Sequence, residues 1–492
     1  MLNSREKIDK FVYSLEERFS VNNWLYNGIH IWPYLKIVIG VDLIRELESK
    51  SWIDKTENMS KLKHCKMYNF FNKIILSIKY FIWFYNIPVK KKYVFVGADH
   101  YRADYNGKKW NKFFDLIIDK YDLENQTVCF EVGPSNSIKH PFPKLDIQLE
   151  KGLRYYLALQ RVKSLFRSSQ STPSLFLKGY DDFFNYLKSI PDAKNIAEKY
   201  NIKNLNRQIH EWYYFYKFFN KLLKRINPKK IFVLCYFEKL RLALVAAANK
   251  MGIQTYEIQH GPVSILAYMH WDKLPLKGYD MLPRNYWCWN KSSEMVIREW
   301  ADNNALYKVF TGGYPWLDYW KRHRKELRER KFILYTLACY TNDIHFPPLV
   351  LNAIKTSRYP WFIRIHPDWI KAKDDLIMFM KEQNLYDKVN LHDAFEQPLP
   401  LLLQDALLHI TFFSGSAIEA ALLGTYTVFI HSLGSKTFPE LIEGNMAEFI
   451  DPNEENFENK LQIVIKKVDQ LYNKNLIIDQ KNEDNIKLAL EL

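Results

Sequence analysis

The stretch KIFVLCYFEKLRLALVAAANKMGIQTYEIQHG, Lys230–Gly261, decides the fold class. Ile231 to Cys235 is a short apolar run of the kind that forms a strand covered on both faces. Lys239 to Lys250 carries leucine and alanine at helical spacing, and Gly252 stops it. Thr255 to Ile258 is a second strand, closed by His260 and Gly261. Strands joined through a helix are parallel, because a hairpin cannot contain one, and parallel sheets belong to α/β folds.

Working outward, the same alternation recurs on both sides. Upstream lie YVFV (Tyr93–Val96), which opens into the polar loop GADHYRAD, and TVCFEV (Thr127–Val132), followed by a long helical region. Downstream come YWCW (Tyr286–Trp289) and YKVFTGG (Tyr307–Gly313). A charged run, YWKRHRKELRERK, then separates a second series of strands: FILYTL, WFIRI, KVNLH, LLHITFF, YTVFI and AEFI. The expected organisation is a helical N-terminal region (1–90), a first Rossmann-like domain (91–325), a second (326–458) and a helical, charged tail (459–492).

Composition bounds the rest. A chain of 492 residues is too long for one core, and 48% hydrophobic with 25% charged residues is the balance of a folded protein. Its net charge of +15 favours phosphorylated small molecules, polyanions or anionic lipid surfaces. The basic residues are spread through the chain and no nucleic-acid motif accompanies them, so nucleic acid is not an expected partner. Cys65, Cys129, Cys235, Cys288 and Cys339 are odd in number and scattered, which indicates neither a disulfide framework nor a zinc site. MLNSREKIDKF lacks the apolar stretch of a signal peptide, and a reducing cytoplasm is the expected location. No segment is apolar enough to span a bilayer. FFNKIILSIKYFIWFYNI (Phe70–Ile87), between KLKHCK and KKK, has instead the make-up of an interfacial helix for the anionic inner face of a cell membrane.

Three polar clusters fall at carboxyl ends of expected strands, where open parallel sheets bind ligands. Arg364, His366 and Pro367 end WFIRI; arginine offers a planar fork of donors to phosphate, and proline fixes the turn. Ser414, Gly415 and Ser416 follow LLHITFF and open a helix that runs to Gly424. There a glycine lets phosphate approach the backbone, although Ser416 and Glu419 also have the spacing of a plain capping box. In the first half, His260 and Gly261 end a strand, where a histidine can serve as general base. Asp99, His100 and Arg102 follow another, with Asp99 the alternative base.

QHGP (Gln259–Pro262), RIHP (Arg364–Pro367) and SGSAIEAALLG (Ser414–Gly424), set in this two-domain layout, resemble a GT-B glycosyltransferase. The resemblance covers roughly residues 93–455. It is similar to enzymes of bacterial capsule and lipopolysaccharide synthesis, the sialyltransferase and Kdo-transferase group, and teichoic-acid glycerophosphotransferases resemble it too. It implies an α/β fold with two Rossmann-like domains facing a central cleft, and transfer of a nonulosonic acid or Kdo-type sugar from a CMP donor. The alternative is glycerol phosphate from CDP-glycerol. Arg364, His366, Pro367, Ser414, Gly415, Ser416 and Glu419 would hold the donor. His260 or Asp99 would be the base, with His100, Arg102 and Gly261 on the side of a saccharide or lipid-linked acceptor. The acidic pair that precedes a glycine in such sialyltransferases has no clean equivalent; Asp99 in GADH lies nearest. No Asp-x-Asp strand end is present, so a metal-independent reaction is expected, with no cofactor beyond the nucleotide-sugar substrate.

Overall fold

Seven strands assemble the first sheet, and all of them are parallel. They are β1 (Tyr93–Ala98), β2 (Thr127–Val132), β3 (Asp146–Gln148), β4 (Lys230–Val233), β5 (Gln254–Ile258), β6 (Asn285–Cys288) and β7 (Lys308–Thr311). A second, six-stranded parallel sheet contains β8 (Phe332–Leu337), β9 (Trp361–Ile365), β10 (Val389–Asn390), β11 (Ala406–Thr411), β12 (Thr427–Phe429) and β13 (Ala447–Phe449). The computed structural model describes Leu2 and residues 4–51, 70–132, 139–165, 175, 177–263, 268, 270–271, 273–322, 330–337, 345–471 and 480–491.

The spatial order is β7-β6-β5-β4-β1-β2-β3 in the first sheet and β10-β9-β8-β11-β12-β13 in the second. Both therefore run 3-2-1-4-5-6 in their own numbering, the doubly wound Rossmann order, and the first adds one strand. The class is the expected one, α/β, with two Rossmann-like sheets that follow a helical N-terminal region in the chain. In each sheet the winding reverses between the first strand and the fourth, at β1/β4 and at β8/β11. The central strands β1, β8 and β11 are buried along their whole length, which is why they read as continuous apolar runs. Phe95, Phe232 and Tyr256 stack across β1, β4 and β5 with centroids 4.8 and 4.6 Å apart.

The chain forms two compact units. The first holds Met1–Asp99, Tyr121–Ser137 and Phe142–Thr311; the second holds His100–Lys120, Ile138–Pro141 and Gly312–Leu492. The polar loop after β1 is not irregular. It forms a hairpin, Arg102–Tyr105 against Lys108–Asn111, turned by Asn106 and Gly107 at positive φ, and a short helix, Asp115–Lys120. Asn-Gly between short strands is a turn signal that the sequence reading passed over. It also passed over β3, whose three residues are too few for a pattern.

In the N-terminal region, α1 (Arg5–Arg18) and α2 (Trp32–Ser51) precede α3 (Phe70–Tyr85). Helix α3 lies against α4 (Leu149–Leu165), with Tyr80 5.5 Å from Tyr156 and Trp83 over Gly152. Its other side leaves Ile75, Ile78, Phe81, Ile82 and Tyr85 exposed. KLKHCK lies outside the described residues. Among those described, no helix is long and apolar enough to cross a membrane.

Candidate functional site

In the second unit the serine loop leaves the end of β11, next to β8 at the reversal of the winding. Ser414 is half-buried and its hydroxyl accepts from Ser416 N at 3.3 Å. Gly415 is exposed; its φ of −59° suits any residue, and an added Cβ would meet nothing within 4 Å. Folding does not require a glycine there, so the open approach it leaves is available to a ligand.

Ser416 opens the helix α5 (Ser416–Leu422), but its hydroxyl turns inward. It lies 2.9 Å from Thr336 Oγ1 and 3.4 Å from His409 Nε2. His409 is clamped between Thr336 Oγ1 at 2.9 Å and Thr427 Oγ1 at 3.0 Å, and burial pushes its pKa down to about 3. Ser416 thus braces the loop from beneath. The capping box does not form either, since the N-cap is Gly415 and has no side-chain cap.

Freed from capping, Glu419 meets Tyr314, whose hydroxyl donates to Oε1 at 3.4 Å. Burial raises the pKa of Glu419, and Lys112, the Tyr314 hydroxyl and Arg364 oppose that rise. Arg364, on β9, donates from Nη1 to the carbonyls of Ala394 (2.5 Å) and Gln397 (2.7 Å). Burial lowers its pKa to about 10, against the pull of Glu419, so it remains a cation at neutral pH. His366 is half-buried and its carbonyl accepts from Trp369 N at 2.9 Å, which makes the turn into Pro367–Ala372. The side chains of Pro367 and His100 lie outside the described residues.

Lys112 and Tyr314 were not singled out from the sequence. Phe113 stacks on Tyr314 at 5.2 Å, which holds the two segments together in this unit. Arg102 anchors the hairpin after β1. Its buried guanidinium pairs with Asp115 at 2.8 Å and donates to Lys109 O at 2.7 Å, fixing the hairpin. Nothing local marks Lys112 or Tyr314, because each acquires its neighbours from distant parts of the chain.

In the first unit, Asp99 follows β1 and is half-buried. His260 follows β5. Its Nε2 lies 2.8 Å from Cys235 Sγ, and its Nδ1 is 3.3 Å from Glu257 Oε1 and 3.0 Å from the Tyr268 hydroxyl. Burial disfavours the imidazolium, but Cys235 and Glu257 outweigh it and raise the pKa to about 10. At neutral pH this histidine holds its proton and acts first as a cationic donor, not as a vacant base. Gly261 contributes its carbonyl to Gln259 Nε2 at 2.9 Å, while Gln259 Oε1 accepts from Trp289 N at 2.7 Å. Cys235 entered the sequence reading as one of five cysteines and as the end of a strand, which stops instead at Val233. Glu257, a carboxylate inside the buried strand TYEI, was the overlooked signal, since such a residue is seldom buried without a partner.

Among the described residues, no group of three or more His, Cys, Asp or Glu side chains has the arrangement of a metal site.

No family model and no curated protein matches this chain. Solved structures do. UDP-GlcNAc 2-epimerase from Methanocaldococcus jannaschii is similar at 12% identity and a TM-score of 0.46, covering 82% of this chain and 100% of that one. The Neisseria meningitidis UDP-GlcNAc 2-epimerase bound to UDP-GlcNAc gives 13%, 0.45, 82% and 100%. The wall teichoic acid polymerase TagF gives 12%, 0.38, 86% and 99%. Similarity at this level carries neither a reaction nor a substrate over to this chain.

Proposed function

We propose that this chain is a GT-B-type glycosyltransferase that uses a nucleotide-sugar donor, with the donor phosphate held in the second unit. The observation that carries this reading is the half-buried Arg364 cation near Glu419, with Gly415 open four residues before Glu419 at the β8/β11 reversal. As the glycosidic bond breaks, negative charge grows on the leaving phosphate. A guanidinium already anchored by two carbonyls can stabilise that charge without reorganising. Ser414 and the backbone at Gly415 add polar contacts, and His366 completes the grip. Glu419, which accepts from Tyr314, is placed in this reading on the donor ribose. Acceptor activation belongs to the first unit. Because His260 holds its proton, Asp99 is the base and His260 steadies the anionic part of the acceptor.

The best donor is a CMP-linked nonulosonic acid or Kdo-type sugar, and the acceptor a saccharide or lipid-linked saccharide of the bacterial surface. The exposed apolar stripe of α3, with Lys79 on the helix and Lys90 beyond its end, supports peripheral contact with an anionic inner membrane face.

Thermal shift with CMP, CDP, UDP and GDP tests the donor site on wild type and Gly415→Val. A nucleotide at 100 times its Kd stabilises the fold by about 2.7 kcal/mol. One nucleotide should raise the wild-type Tm by several degrees, and Gly415→Val should keep its own Tm but lose that shift. If no nucleotide moves the wild type, or the variant responds equally, the donor site is wrong. CMP preference favours the ulosonic-acid donor. CDP preference, with a phosphodiester and not a glycosidic bond in the product, makes the chain a glycerophosphotransferase.

A further inference from the structure

Cys235 has no part in the transfer reaction proposed above, yet its surroundings are those of a nucleophile. Strand β4 ends at Val233, and Leu234 N still donates to Val96 O at 3.2 Å. Cys235 then turns with φ +53° before the next helix starts at Lys239. A strand-turn-helix corner of this kind lifts its side chain to the carboxyl edge of the sheet. That edge is where β4 and β1 reverse the winding, the place at which doubly wound sheets collect ligands.

Behind the sulfur stand an imidazole that holds the proton and a group that orients it. Sγ is 2.8 Å from His260 Nε2, and His260 Nδ1 is 3.3 Å from Glu257 Oε1. Glu257 is itself fixed, because Tyr236 N donates to Oε2 at 3.0 Å and the Tyr268 hydroxyl donates to Oε1 at 2.5 Å. With Nδ1 facing Glu257 Oε1 and the Tyr268 hydroxyl, Nε2 is the nitrogen that holds the proton shared with sulfur.

We propose that Cys235, His260 and Glu257 form a nucleophilic thiol site that takes a small, uncharged soft electrophile into a covalent bond at Sγ. With an alkyl halide, the S–C bond forms and the carbon–halogen bond breaks. The halide leaves with the bonding pair; sulfur attacks with its proton already held on His260 Nε2, and Glu257 stabilises that imidazolium. The raised proton affinity of this imidazole keeps the proton there. Size is limited because Cys235 is 5% exposed and the His260 side chain 11%. Cys129 on β2 and Cys288 on β6, at 1% and 0%, are buried strand cysteines that serve as internal controls.

The full chain is treated with iodoacetamide at neutral pH, and adducts at each cysteine are followed by peptide mass spectrometry. Cys235 should be alkylated at least tenfold faster than Cys129 and Cys288. His260→Asn and Glu257→Gln should each slow that rate at least tenfold in protein that keeps its Tm. Labelling of Cys235 no faster than the two strand cysteines overturns the proposal. So does an unchanged rate in folded His260→Asn. If that variant does not fold, the comparison of the three cysteines within the wild type decides alone.

Discussion

His409 is held neutral from both sides by Thr336 and Thr427, in a place with no room for charge. Its folded pKa, about 3, lies below the ordinary 6.5, so protonation favours the unfolded chain. Stability is present above about pH 6.5 and falls as pH drops towards 3. Between pH 7 and pH 5 this one group removes about 2 kcal/mol. His260 has the opposite sign: its contribution is complete below pH 6.5 and is lost as pH rises through about 10. The clean readout is therefore a difference. His409→Asn should lose less stability than wild type between pH 7 and pH 5, by about 2 kcal/mol in urea unfolding. Equal losses in the two proteins would mean that His409 titrates as an ordinary histidine.

At the scale of elements, α3 meets α4 through a glycine. A Cβ at Gly152 would lie 2.2 Å from the Trp83 ring, which is itself stacked on Phe218 at 5.8 Å. Gly152→Val should cost roughly 2 kcal/mol through overpacking, visible as a lower Tm. An unchanged Tm would show that Trp83 swings aside freely. The opposite face of α3 leads to a second test. Ile82 is 60% and Tyr85 66% exposed, a large apolar exposure for a surface helix. Ile78→Ser with Ile82→Ser should reduce co-sedimentation with phosphatidylserine vesicles severalfold and leave the Tm within a few degrees. Equal sedimentation of both proteins would remove α3 as the membrane contact.

On the scale of the whole molecule, chain neighbours and structural neighbours part company. Asp99 closes one segment of the first unit and His100 opens a segment of the second, where Arg102 pairs with Asp115 within the hairpin. The hairpin and helix inserted after β1 bring Lys112 towards Glu419, whose partner Arg364 lies about 250 residues further along the chain than Lys112. A doubly wound sheet tolerates this because loops at its strand ends can be extended without disturbing the buried strands. The repeated 3-2-1-4-5-6 order gives each sheet its own reversal and its own polar strand ends.

The sequence by itself determined the element types and the α/β class. TVCFEV, FILYTL and WFIRI are strands at their expected bounds, and the helix Lys239–Lys250 is as read. Those signals are local: a parallel strand covered on both faces must be apolar along its length, and a helix must repeat at 3.6 residues. Three-residue β3 and the Arg102–Asn111 hairpin escaped because short, half-polar segments have no such periodicity. Tertiary structure alone decided which polar side chains are partnered and how. It turned Ser416 inward to Thr336, sent Glu419 to Tyr314 instead of to a cap, used Arg102 as a hairpin anchor and set Cys235 against His260. Each of these outcomes depends on a group brought from elsewhere in the chain, and a hydrogen bond or ion pair acts only over a few ångströms of space, whatever the separation in sequence.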